Sequence, residues 1–227
     1  MCPPLPRRLP ISYGQRIAAV FVGLAISVGL IAWYIVGYVW TLPPTETISN
    51  TPGNVNLTVQ TVASYGHSPH PDWVSYLVKN PQGKWVHTTI WQVPANSTIH
   101  MTVLQYDTAT GLRNPFWGLP EGTVGRAKVN GKAIPILNPD LASHTFAIPE
   151  LGVTVPLKGV ADNAKNQCSV APCTLAEAHN TITFTFRTGK RGTYRWQCFV
   201  PCAAGFILGF GGPMQSLGYM DGLMHVV

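Results

Sequence analysis

An all-β sandwich behind a single N-terminal membrane-spanning helix is the architecture this sequence predicts, and three observations predict it. From Ile17 to Thr41 the chain runs twenty-five residues without a charge. Beyond that stretch, short runs of strand composition recur, several of them alternating apolar and polar as in "TITFTF" and "TIHMTVLQY", the period-2 mark of a half-buried strand. Turn signals such as "NPQGK", "VPANS" and "RTGKRG" separate the runs, so the pattern reads as an antiparallel sandwich or barrel.

The apolar stretch is long enough to cross a hydrocarbon core of about 30 Å with some tilt. Arg7, Arg8 and Arg16 precede it and only "LPPTE" follows it. The positive-inside rule therefore places residues 1–16 in the cytoplasm, a transmembrane helix over 17–41 and the remainder on the outer face of the cell membrane. Trp33, Tyr34, Tyr38 and Trp40 fit an aromatic belt at the outer interface. A cleaved signal peptide is the alternative, but the run exceeds an h-region of about 7–15 residues and no small-x-small site follows it. Cys2 reads as a cytoplasmic free thiol. Residues 42–55, polar and turn-rich, read as a tether, and 56–227 as the extracytoplasmic domain.

The predicted strands of that domain are "NLTVQTVASY", "WVSYLVKN", "WVHTTIWQV", "TIHMTVLQYD", "HTFAIPELGVTVPL", "NTITFTFRT", "TYRWQCFV" and "GLMHVV". No long helical period appears among them, though "CTLAEAHN" has the composition of a short helical turn. Residues 111–143 exceed what a hairpin needs, and such an insertion often builds a partner or ligand surface. Cys168 and Cys173 in "CSVAPC" lie in a loop of an exported domain, where a small-loop disulfide is expected.

Composition excludes several functions. The net charge of +6 is spread along the chain, and no basic stripe with interleaved aromatics marks a nucleic-acid surface. Only eight acidic residues lie beyond residue 50, none in a suggestive pair. No hydrolytic triad, phosphate loop or G-x-S-x-G setting is present. The enzyme class indicated is at most a non-catalytic electron-transfer subunit.

The residues that suit chemistry are soft ligands. His144 sits in "LASHTFAIPELGVTVP", while Cys198, Cys202, Met214 and Met220 crowd the C-terminal loop. Thiolate, imidazole and thioether are the donors of copper electron-transfer sites. His67 and His70 in "HSPH" lack a partner motif, and His87 and His100 alternate with apolar residues as sheet-face positions would. The methionines also suit a plain core-filling role.

"SHTFAIPELGVTVP", followed about fifty residues later by "YRWQCFVPC", resembles the cupredoxin domain of cytochrome c oxidase subunit II. "WQVPANSTIHMTVLQYD" is similar to that family's "VPAG..V.F.LTS.D" strand. The resemblance covers roughly residues 85–105 and 140–227 and implies a cupredoxin-like antiparallel sandwich with a dinuclear copper centre. His144, Cys198 and Cys202 fall on the family's first His and two bridging Cys, and Val200 on its backbone-carbonyl ligand. The family's second His and its Met fall on Phe206 and Gly209. "GYMDGLMHVV" resembles the approach to the last cupredoxin strand, which makes Met220 the matching thioether; Gln215 takes the approximate place of the second His, and His225 lies in the final strand.

Two readings stay open. In one, copper is held by His144, Cys198 and Cys202 with Met220 or Met214, on a subunit for electron transfer or docking beside integral membrane oxidoreductase subunits or an electron-carrier protein. Trp196 would there offer an aromatic edge for electron access. In the other, the domain is a metal-free cupredoxin-fold accessory or binding module stabilised by disulfides, with Cys198 bonded to Cys202 where the chain turns at Pro201.

Overall fold

The structure, a computed structural model, describes residues 12–66, 71–109, 111, 114–202 and 212–227. Cys2, Arg7, Arg8, His67, His70, Phe206 and Gly209 lie outside the described residues. The chain divides into two compact units at Thr41 and Leu42.

In the first unit, helix α1 (Tyr13–Tyr34) starts at a capping box: the Ser12 hydroxyl accepts from the Gln15 backbone and the Gln15 side chain accepts from the Ser12 N–H. That arrangement satisfies two of the donors a helix start leaves open. A π-helical turn continues it over Ile35–Val39. Tyr13–Tyr38 has a mean hydropathy of 2.3, so by length and composition this one helix is able to cross a membrane.

The second unit is a sandwich of two sheets. The strands are β1 (Thr45–Thr47), β2 (Asn54–Tyr65), β3 (Trp73–Lys79), β4 (Trp85–Val86), β5 (Ile90–Val93), β6 (Thr98–Gln105), β7 (Lys128–Val129), β8 (Lys132–Ala133), β9 (Ala142–Ile148), β10 (Val153–Lys158), β11 (Asn180–Arg187), β12 (Gly192–Gln197) and β13 (Asp221–Val226). One sheet runs β1-β5-β13-β12-β9-β10 and the other β4-β3-β2-β6-β11-β7-β8. The expected sandwich is present, but its sheets are mixed: β1–β5, β5–β13 and β2–β6 pair in parallel. Parallel neighbours require a crossover connection, and the chain supplies them by passing between the sheets. The run "WVHTTIWQV" makes one such passage, its first two residues ending in one sheet as β4 and its last four in the other as β5.

Other differences are local. Residues 45–47, within the stretch read as a tether, form β1 against β5. "HTFAIPELGVTVPL" is two antiparallel strands, β9 and β10, folded about the turn Pro149–Leu151 and the left-handed Gly152. The 111–143 segment carries the β7–β8 hairpin, which turns at Asn130 and Gly131, both at positive φ, and extends the second sheet through β11. "CTLAEAHN" is a turn, closed by the Glu177 N–H donating to the Thr174 carbonyl at 3.1 Å. Cys168 and Cys173 form a disulfide.

Between the sheets the core is aromatic. Trp196, fully buried, stacks on Trp91 at 4.4 Å and meets Tyr76 edge-on at 5.0 Å and Phe146 at 5.3 Å. Trp196 therefore presents no edge to the surface, and the electron-access role expected of it does not fit its position. Gly222 lets β13 lie against this stack. A Cβ there would sit 2.2 Å from the Thr89 carbonyl oxygen and 2.3 Å from the Trp196 ring. Gly222→Ala is accordingly expected to destabilise the domain by about 1–3 kcal/mol through overpacking, measured by chemical denaturation of the full chain in detergent; an unchanged midpoint would contradict this account of the core.

Candidate metal centre

The predicted ligands come from two neighbouring strands of the first sheet. β9 is buried along its whole length and presents His144, while β12 runs beside it and ends at Gln197, opposite Ala147. Beyond that single pair the strands separate, and Thr145 bridges the gap. Its N–H donates to Cys198 Sγ at 3.4 Å, and its hydroxyl accepts the Phe199 N–H at 2.8 Å. On the other side, the Cys198 N–H donates to the Met220 carbonyl at 2.9 Å. The loop is thus tied to β9 and to the start of β13.

These ties bring His144, Cys198 and Cys202 together, all buried, with ligand atoms within 4.8 Å of one another. His144 Nδ1 lies 3.0 Å from Cys202 Sγ and 3.9 Å from Cys198 Sγ, and the two sulfurs are 3.3 Å apart. Cys198 and Cys202 are free thiols rather than a disulfide. The Val200 carbonyl oxygen lies 3.3 Å from Cys198 Sγ and 2.9 Å from Cys202 Sγ. Three soft or borderline side-chain donors and a carbonyl therefore converge in one buried cluster, a set that fits copper.

Of the other expected site residues, Met220 is fully buried in the core, joined to the loop by its backbone. Met214 packs against the same core from the turn Gly212–Gln215. Gln215 in that turn is exposed. His225 lies in β13 bonded to Thr193, and His100 lies on the outer sheet face against Asn54 and Thr185. His87 contacts the rings of Tyr65 and Tyr219. None of these three histidines joins the cluster.

Sequence reasoning missed Asp107, whose Oδ2 accepts from His144 Nε2 at 3.1 Å. It stands at the end of the quoted "TIHMTVLQYD", 37 residues before its partner. Thr145, adjacent to His144 in the quoted motif, was also given no role.

The charges are coupled. Burial pulls the His144 imidazolium down, but the Asp107 carboxylate and the Cys198 thiolate outweigh it and push the pKa up to about 9. Burial also opposes ionisation of Cys198, yet hydrogen bonds from Cys202 and His144, with the imidazolium charge, hold it well below the ordinary thiol range. Cys202 is raised, first by donating to Cys198 and then by its own burial. Burial raises Asp107 as well, and its bond to His144 lowers it on balance. Nδ1 is nearer to Cys202 than to Cys198, although the stronger shift to ionisation falls on Cys198; the physical content is one negative charge shared by a sulfur pair that releases its first proton easily and its second with difficulty.

Among known proteins, no family model and no curated relative matches this chain. Solved structures similar to it include three of one copper protein. A copper protein, rusticyanin, aligns at 18% identity over 81% of this chain and 82% of its own, with a TM-score of 0.35. Reduced rusticyanin aligns at 18% over 81% and 84% with a TM-score of 0.34. Rusticyanin from Thiobacillus ferrooxidans aligns at 16% over 81% and 82% with a TM-score of 0.34. The sandwich described above rests on its own strand registers rather than on these alignments.

The coupled charges are open to direct measurement. Thiolate absorbance of the reduced, metal-free full chain should rise by one thiolate with a midpoint below the ordinary thiol value of about 8.5. His144→Ala removes the compensating positive charge and should move that step upward. A midpoint indifferent to the substitution would show that His144 does not stabilise the thiolate.

Proposed function

We propose that this chain is a membrane-anchored cupredoxin-like subunit that holds copper for electron transfer or docking at a membrane oxidoreductase, in the manner of cytochrome c oxidase subunit II. The observation that carries the reading is the convergence of His144 with Cys198 and Cys202, residues 54 and 58 positions apart in the chain, in one buried cluster. The subunit II resemblance rests on the residues around those ligands. The apolar helix supports a membrane anchor, with the N-terminus cytoplasmic and the sandwich outside.

In this reading, His144 Nδ1 and the sulfurs of Cys198 and Cys202 would hold the metal, with the Val200 carbonyl beside both sulfurs, and Met220 or Met214 would supply a tuning thioether. Bound copper supplies storage and release of a single electron. The chain's own part is to keep that set rigid and dry. Cys198 is fully buried, and Thr145 and Met220 fix its backbone and sulfur from two sides. Rigid ligands limit the rearrangement that accompanies a change of charge, and burial of His144, Cys198 and Cys202 limits competition from water. Electron exchange would proceed with integral membrane subunits or a soluble carrier protein.

Two measurements on the full chain in detergent test this. Denatured without reductant, the protein should yield three thiols of its five cysteines, because Cys168 and Cys173 are bonded; a single thiol would instead indicate a Cys198–Cys202 disulfide. Loaded with Cu(I) under reducing conditions and then oxidised with ferricyanide, it should retain stoichiometric metal and show thiolate-to-copper charge-transfer bands that Cys198→Ser abolishes. Colourless, copper-free protein would sink the electron-transfer reading and leave a metal-free binding module.

A further inference from the structure

Asp107 is held by three hydrogen bonds besides the one to His144. Its Oδ1 accepts the Thr108 N–H at 2.8 Å. Its main-chain carbonyl accepts the Val160 N–H at 2.9 Å and Gln105 Nε2–H at 3.2 Å. Gln105 is itself fully buried, and its Oε1 accepts the Thr61 hydroxyl from the neighbouring strand β2. One oxygen, Oδ2, is left to face the imidazole, 3.1 Å from Nε2.

An imidazole has two nitrogens, and the one engaged by a hydrogen bond decides which is presented elsewhere. His144 has both engaged: Nε2 by Asp107 on one side, Nδ1 toward the sulfur pair on the other. Rotation of the ring by half a turn would break both contacts together and turn carbon toward the sulfurs. We propose that Asp107 is the positioning residue of the centre: by accepting the Nε2–H of His144 it fixes the ring so that Nδ1 is the atom offered to a metal held by Cys198 and Cys202. This rests on reading the cluster as a metal centre, but the ring orientation is a property of the metal-free protein as well.

The fold supports the assignment. The long insertion separates Asp107 from His144 in sequence, yet the chain returns to the same place. Thr108 bridges to Val160, and the Gly159 N–H donates to the Leu141 carbonyl at 2.9 Å just before β9 begins. Asp107 keeps partial contact with water, at 23% side-chain exposure, whereas His144 is 2% exposed. The carboxylate thus remains hydrated enough to stay ionised while its hydrogen bond reaches the interior.

The test uses the reduced full chain in detergent with its histidines labelled with nitrogen-15. In the metal-free wild type, His144 should show a downfield, slowly exchanging ring proton coupled to Nε2. Asp107→Ala should lose that protection, and Asp107→Asn, whose amide oxygen accepts the same bond, should keep it. Competition with a chromophoric Cu(I) chelator should show affinity falling about 10- to 100-fold in Asp107→Ala, with the smaller loss in Asp107→Asn. Circular dichroism checks that both variants fold. Wild type without a protected Nε2 proton, or Asp107→Ala with proton and affinity unchanged, overturns the proposal; the first result decides it even if the alanine variant does not fold. Wild type that keeps the proton but takes no Cu(I) would instead overturn the metal reading and leave the positioning of His144 standing.

Discussion

The grip of β9 on the loop after β12 is the constraint on which the centre depends. The two strands share only one paired residue, Gln197 opposite Ala147, so backbone pairing alone would leave the cysteine loop free to diverge. Thr145 continues the contact with two different groups, its N–H toward the Cys198 sulfur and its hydroxyl beneath the Phe199 N–H. A threonine in a fully buried strand carries a hydroxyl that costs free energy unless it is bonded, and here that bond is made to the loop. The same strand places His144 one residue earlier. Imidazole and thiolate are therefore positioned by a single rigid element.

Around that grip the site balances charge rather than avoiding it. A carboxylate, an imidazole and two thiols lie in sequence, from partial exposure at Asp107 to complete burial at Cys198. An isolated charge at the inner end would be expensive. Alternation of sign along the row offsets the desolvation and explains why the neighbours shift one another in opposite directions. Tyr76, fully buried near both thiols, is pushed up first by burial and then by their negative charge, so it contributes no competing anion.

Much of this was legible in the sequence, and the limits have physical causes. Alternating runs reveal which residues face inward, so the sandwich, most strands and the helix near the N-terminus could be read directly. They do not reveal which strand lies beside which. The parallel ladders and the division of "WVHTTIWQV" between sheets are decided by tertiary pairing. The β7–β8 hairpin had a local signal, Asn130-Gly131, the dipeptide that tolerates positive φ at both turn positions, within a segment read only as an insertion. His144, Cys198 and Cys202 were visible because they are soft-donor types and fall on positions that the family resemblance picks out, and the structure brings them together. Asp107 stood in a quoted strand, but nothing local distinguishes a carboxylate bonded to a distant histidine from one bonded to water.

The edges of the two sheets carry a consequence for association. β4 and β8 are two residues long and β1 is three, while β10 contains Pro156, which has no N–H to donate. β10 is further occupied by Glu121, whose N–H and carbonyl bond the carbonyl and N–H of Thr154. Short, interrupted or covered edges offer a poor template for another chain's strand. Growth of either sheet by intermolecular pairing is thereby disfavoured, which leaves side chains on the faces and loop ends, rather than open backbone, as the surface offered to solvent.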